Sequence, residues 1–202
     1  MATTVSKKGI RITAIALAAV LFFSASCKSS GDLLGPADET AEAGKLVEEA
    51  NVDLKKIRQL YEDNESKRQE LKAALETDNE ADVKRISTEV VQLINEGTNL
   101  GNSAVDKIGQ AGDMQINDQY KEYLRLKEDA LKKQLEAFAQ YHAAARVLRD
   151  NYDPKNAQNR DKVKAEFDSR SEKYRELMEK ARDHSSEANE LYKDTVRQQR
   201  QN

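Results

Sequence analysis

Residues 47–75 read VEEANVDLKKIRQLYEDNESKRQELKAAL, and a single spacing runs through them. Val47, Ala50, Leu54, Ile57, Tyr61, Asn64, Arg68, Leu71 and Leu75 follow one another at alternating intervals of three and four. That interval brings a side chain back to the same face of an α-helix once per turn, whereas a strand repeats every second residue. The stretch predicts an amphipathic helix with one stripe turned towards a core.

The rhythm recurs three times downstream. Val83, Ile86, Val90, Leu93, Gly97, Leu100 and Ala104 mark a second helix. Tyr120, Leu124, Leu131, Phe138, Ala145, Leu148 and Tyr152 mark a third. Val163, Phe167, Arg170, Tyr174, Leu177, Ala181, His184, Ala188, Leu191 and Thr195 mark a fourth. Tryptophan is absent and strong helix formers are abundant, so strands have little support. A 3.5-residue repeat kept over several heptads implies left-handed supercoiling at about +20°. The expected fold is all-α: an elongated up-down-up-down four-helix bundle of two antiparallel coiled-coil-like hairpins, ~45–65 Å long.

The breaks carry capping chemistry. Thr77-Asp78-Asn79-Glu80 matches a capping box, with Thr77 as the cap and Glu80 reaching back. Asp153-Pro154 places a cap before a proline suited to the first helical turn. Gly109 to Asp113 reads as a glycine stop followed by a new cap. Gly97-x-x-x-Gly101 predicts a close approach to a neighbour, either Ala143-Ala144-Ala145 or Ala181 and Ala188. The pair Asp53-Leu54-Lys55-Lys56 and Ala130-Leu131-Lys132-Lys133 fits either a duplicated hairpin or the ordinary likeness of two heptad helices.

Upstream of the bundle the composition changes. Lys7, Lys8 and Arg11 precede an apolar run from Ile12 to Phe23, broken only by Thr13, and small residues Ser24-Ala25-Ser26 lead to the only cysteine, Cys27. Twelve residues make about 18 Å of helix, short of the ~30 Å hydrocarbon core of a bilayer. Residues 1–26 therefore read as an export signal rather than a membrane span. Ala25-Ser26-Cys27 resembles the lipobox of bacterial lipoproteins; Ser24 departs from it, since the pattern most often has Leu there. The resemblance implies a thioether-linked lipid, with palmitate among its chains, on Cys27. Ser24-x-Ser26 also suits an ordinary signal peptidase, which would leave Cys27 as a free thiol. Residues 27–36 follow as lipidated cysteine and Ser/Gly-rich tether, and 37–202 as the bundle domain.

Charge narrows the partners. Loss of the signal removes three of the 33 basic residues and none of the 36 acidic ones, taking the net charge from −3 to about −6. Nucleic acid requires clustered positive charge, so it is not an expected partner. With no polybasic patch for anionic lipid, membrane attachment rests on the N-terminal lipid. Lys28 stands where Asp would resemble the inner-membrane retention signal of enteric bacteria, which favours the outer membrane, facing the periplasm, in a Gram-negative organism.

Seven side chains stand where a plain bundle has no need of them: Asn64, Arg68, Glu89, Tyr141, His142, Arg170 and Tyr174. All fall within about 10–20 residues of one end, the end that holds both hairpin turns in an antiparallel bundle. They suggest a polar or anionic-ligand pocket with Arg68 and Arg170 as donors. The competing reading has these arginines reach water along the stripe, or pair with Glu89 or Glu166 to set helix register. His142 and His184 are the only histidines. Ala139 and Ala181 lie three residues before them, where a di-metal bundle needs Glu, so no metal and no cofactor is expected. No nucleophile–base–orienter set is identifiable, so no catalytic residue is assigned. The sequence thus points to a non-catalytic envelope lipoprotein that presents a bundle to an envelope protein, the cell wall or a second copy of itself. The alternative is a ligand-binding or sensory bundle, similar in shape to extracytoplasmic four-helix sensor domains of bacteria.

Overall fold

A computed structural model describes residues 39–63 and 65–201; side chains are described to position 194, except at Asp63. The expected export signal (1–26), Cys27 with the expected tether (27–36), and Asn64 lie outside the described residues. The chain is an all-α helical bundle with helices α1 (Thr40–Asp63), α2 (Glu65–Glu76), α3 (Glu80–Gly112), α4 (Asp118–Asn151) and α5 (Ala157–Gln201). Together α1 and α2 take the place of the first predicted helix. No described helix is long and apolar enough to cross a membrane.

Side-chain pairs show how the helices run. Asp53 meets Lys107, and further along α2 Lys67 meets Glu89. Partners that advance on one helix retreat on the other, so α3 is antiparallel to α1 and α2. The Tyr141–Tyr174 and Tyr123–Tyr192 ring pairs set α4 and α5 antiparallel in the same way. Each helix packs on its chain neighbour, but among the described residues no Cα of α5 comes within 8 Å of α1, α2 or α3. Long side chains bridge that wide edge: Tyr61 Oη lies 2.8 Å from Tyr174 Oη, and Lys164 Nζ donates to the Leu75 carbonyl at 2.9 Å.

The predicted stripes face the core. Every position marked on the third, from Tyr120 to Tyr152, is buried, as are Val83, Ile86, Val90, Gly97 and Ala104 on the second. The core divides into two clusters. One, near the start of α1 and the α3–α4 turn, gathers Ala43, Val47, Ala50, Ala104, Ile108 and Ala111 with Tyr120 and Leu124. The other gathers Ile57, Leu71, Ile86, Phe138, Leu148, Tyr152, Phe167 and Tyr174 towards the opposite end.

The turns use different caps from those expected. Asn79, not Thr77, caps α3, its side chain accepting from the Asp82 N–H. Thr77 instead closes α2, its Oγ1 donating to the Ala73 carbonyl. Asn79 N–H bonds the Ala74 carbonyl and Asp78 takes a left-handed φ of 52°, the pattern of a Schellman turn with Asp where Gly is common. A capping box led by Thr77 would have needed Asp78 as the first helical residue, which its left-handed φ of 52° does not permit. Similarly, α5 begins at Ala157 behind Asn156, whose Oδ1 accepts from the Asn159 N–H; Asp153 accepts from the Lys155 N–H in the turn. Helix α3 runs through Gly109 to Gly112, and Asn117 caps α4.

Asp78 joins the two turns. Its carboxylate accepts from Tyr152 Oη at 2.6 Å, from Lys164 Nζ at 2.8 Å and from Arg160 at 3.3 Å. Both turns therefore share one end of the molecule, remote from the start of α1. These donors, Lys164 first and then Tyr152, hold the Asp78 carboxyl below the usual carboxylate range against the opposing effect of burial.

Candidate functional site

Of the seven predicted side chains, the structure brings three to one layer. Arg68 comes from α2, Tyr141 from α4 and Tyr174 from α5, and Tyr61 of α1 joins them through its 2.8 Å contact with the Tyr174 hydroxyl. The Tyr141 and Tyr174 rings lie 5.2 Å apart, and Tyr61 stacks on Phe138 at 6.0 Å. Burial raises the Tyr61 hydroxyl well above its ordinary value and lifts Tyr141 and Tyr174 to about 12. The positive charge of Arg68 lowers all three without reversing this. At neutral pH the hydroxyls keep their protons and serve as hydrogen-bond donors.

Arg68 is the pivotal group. Its side chain is 19% exposed, and Nη2 pairs with Glu65 one turn earlier. Nη1 is buried with no hydrogen-bond partner. A guanidinium N–H without an acceptor costs more than one hydrogen bond is worth, because its hydration is lost and not replaced. Beside it lies a cavity of about 60 Å³, walled by Arg68, Tyr61 and Tyr141 and otherwise by apolar groups including Ile57, Ile94 and Phe138. Its α3 wall includes Gly97, whose missing side chain leaves room: an added Cβ would stand 3.5 Å from Phe138.

The other predicted residues lie elsewhere. Arg170 pairs with Glu166 on its own helix at 3.0 Å and faces a shallow polar groove with Gln140, Lys173 and Glu176. Glu89 is bound by Lys67 of α2 and by Arg85 on α3, which together hold its carboxyl low, Lys67 contributing most. His142 is half-buried on α4, and burial, then Arg146 and Arg149, lower its pKa. His184 Nδ1 lies 3.6 Å from Glu187. Among the described residues no group of three or more His, Cys, Asp or Glu side chains is placed to hold a metal ion.

Two polar sites were not anticipated. Asp53 on α1 is buried and accepts from Ser103 Oγ at 2.8 Å and Lys107 Nζ at 2.7 Å. Burial pushes its carboxyl up, but those hydrogen bonds outweigh it and hold it below the ordinary range. The sequence signal was a carboxylate beside the apolar stripe, next to Leu54. Tyr61 was visible only as a stripe position, and nothing local pointed to Tyr174 as its partner. The glycine pair also differs from expectation. Gly97 and Gly101 admit Phe138 and Leu135 of α4, not the alanines of α4 or α5, and a Cβ on Gly101 would come 2.7 Å from Leu135 Cδ2. Comparison of the chain with protein-family models, with curated proteins and with solved structures finds no match.

Proposed function

We propose that the chain is a lipid-anchored protein of the bacterial envelope, whose helical bundle is a non-catalytic structural or protein-interaction module. The observation that carries this reading is the order of Lys7-Lys8, the apolar run to Phe23, and small residues ending at the only cysteine, Cys27. The bundle geometry is compatible with it. Helix α1 starts at Thr40, a short tether beyond Cys27, and the two turns joined by Asp78 lie at the other end. An anchor on Cys27 would hold the first end to the membrane and present the turns outward to an envelope or cell-wall partner. The side chain of Lys28 favours the outer membrane as the place of attachment in a Gram-negative host. Metabolic labelling with a palmitate analogue tests the anchor: label should enter the wild-type chain and vanish in Cys27→Ser. Unchanged labelling of that variant, or none of the wild type, would remove the proposal. Crosslinking in intact envelopes should then yield a defined protein or peptidoglycan adduct.

A further inference from the structure

We propose that the space beside Arg68 is a binding site for a small monocarboxylate with a short hydrocarbon tail, the carboxylate on the Arg68 guanidinium and the tail against Ile57, Ile94 and Phe138. The site does not depend on the lipid anchor, and its failure would leave that reading untouched.

Three observations meet here. First, the donors exceed the acceptors. Arg68 Nη1 is buried and unpartnered while Nη2 holds Glu65. In the Tyr61–Tyr174 pair one hydroxyl donates to the other, which leaves the acceptor's own proton available to donate. A guanidinium edge with a nearby phenol is matched by an acceptor-only group, and a carboxylate is the strongest of these.

Second, the remaining wall is hydrocarbon. Ile57, Ile94 and Phe138 are buried members of the distal core, and Leu60 and Leu93 complete the side nearer to solvent. A bare hydrated ion would have to exchange its water for this surface, which is unfavourable. A molecule with one charged end and an apolar body meets both demands.

Third, the volume sets the length. At about 15 Å³ for each water-sized group, 60 Å³ accommodates about four such groups. Acetate has four heavy atoms, so the enclosed space takes a carboxylate with its first carbons, and the end of a propionate or butyrate tail reaches the open side by Leu60 and Leu93. So few atoms limit affinity, and a Kd of about 0.1–1 mM is the expected range.

Titration calorimetry and ligand-observed NMR on the full chain would use sodium propionate and butyrate, with 1-butanol and sodium chloride as comparisons. The carboxylates should saturate, and 1-butanol should bind at least about tenfold more weakly because it leaves the guanidinium without an anion. Arg68→Met keeps the aliphatic stem and should weaken carboxylate binding at least about tenfold. Gly97→Ala, in which the new methyl makes ordinary contact with Phe138, should shift the preference towards the shorter acid. Its helix favours alanine, so it provides a well-folded variant if Arg68→Met does not fold. Any of three results would overturn the proposal: no saturable carboxylate binding, equal binding of 1-butanol, or competition by chloride at the same concentrations. The last would identify an adventitious ion only.

Discussion

The two halves of this bundle use one helical stripe in opposite ways. In the proximal half, Ala43, Val47, Ala50 and Ala104 meet as small side chains, and a buried carboxylate, Asp53, crosses to Ser103 and Lys107. In the distal half the same face carries Tyr61, Phe138, Phe167 and Tyr174, and α5 is reached across a wide edge by long side chains. Small residues let helix backbones approach closely and leave little room for a larger side chain. Large rings span distance but fill it less evenly, and a cavity remains beside Arg68 between Tyr61, Phe138 and Tyr141. The distal half should therefore be broken by truncation and the proximal half by enlargement.

The largest effect belongs to the distal half. Phe138→Ala removes a 2%-exposed ring that touches Tyr61 and extends an existing cavity, and should cost about 3–5 kcal/mol in urea unfolding. Ala104→Leu tests the opposite half. Because it adds three carbons at a fully buried alanine, it should cost about 1–3 kcal/mol; a neutral result would show that the proximal core yields and would dissolve the contrast. Asp53→Asn should cost about 1–3 kcal/mol at pH 7, since Lys107 loses its anion. The Asp53 carboxyl is lowered in the folded state, so its contribution is complete above the unfolded value of about 3.9 and is lost as pH falls through the folded value. The gap between wild type and variant should accordingly narrow as pH falls below about 4, and a constant gap would assign the cost to packing. The smallest effect separates the two glycines. Gly97→Ala should gain about 1 kcal/mol from helix propensity, whereas at Gly101 the approach of Leu135 offsets that gain. Equal melting temperatures of the two variants would show that the 2.7 Å contact is relieved at no cost.

Much of the fold was readable because its cause is local. The alternation of three and four residues places side chains on one face whatever the rest of the chain does, and the marked positions on the third helix are all buried. Turn positions were readable but their chemistry was not. Thr77 and Asn79 are both good caps, and the choice between them depended on where α2 stopped. Asp78 could take the left-handed position usually given to glycine because three donors, Tyr152 just after α4 and Arg160 and Lys164 on α5, await its carboxylate. Those donors lie 74–86 residues away, beyond the reach of any local pattern.

The candidate site divides along the same line. That Arg68 and Arg170 interrupt apolar stripes is a property of the sequence alone, as are the helical class, the excess of acidic over basic residues and the basic-then-apolar order of residues before Cys27. Which arginine would face a cavity was decided only in three dimensions. Arg170 has Glu166 one turn away and turns to the outer groove, whereas Arg68, with Glu65 on one nitrogen and the other buried, lines a cavity with Tyr61 and Tyr141. Helical period fixes the face of a residue to within a fraction of a turn, but hydrogen bonds are lost over less than an ångström. Register between helices 113 residues apart, as between Tyr61 and Tyr174, is therefore set by the packed core and not by the stripe that builds it.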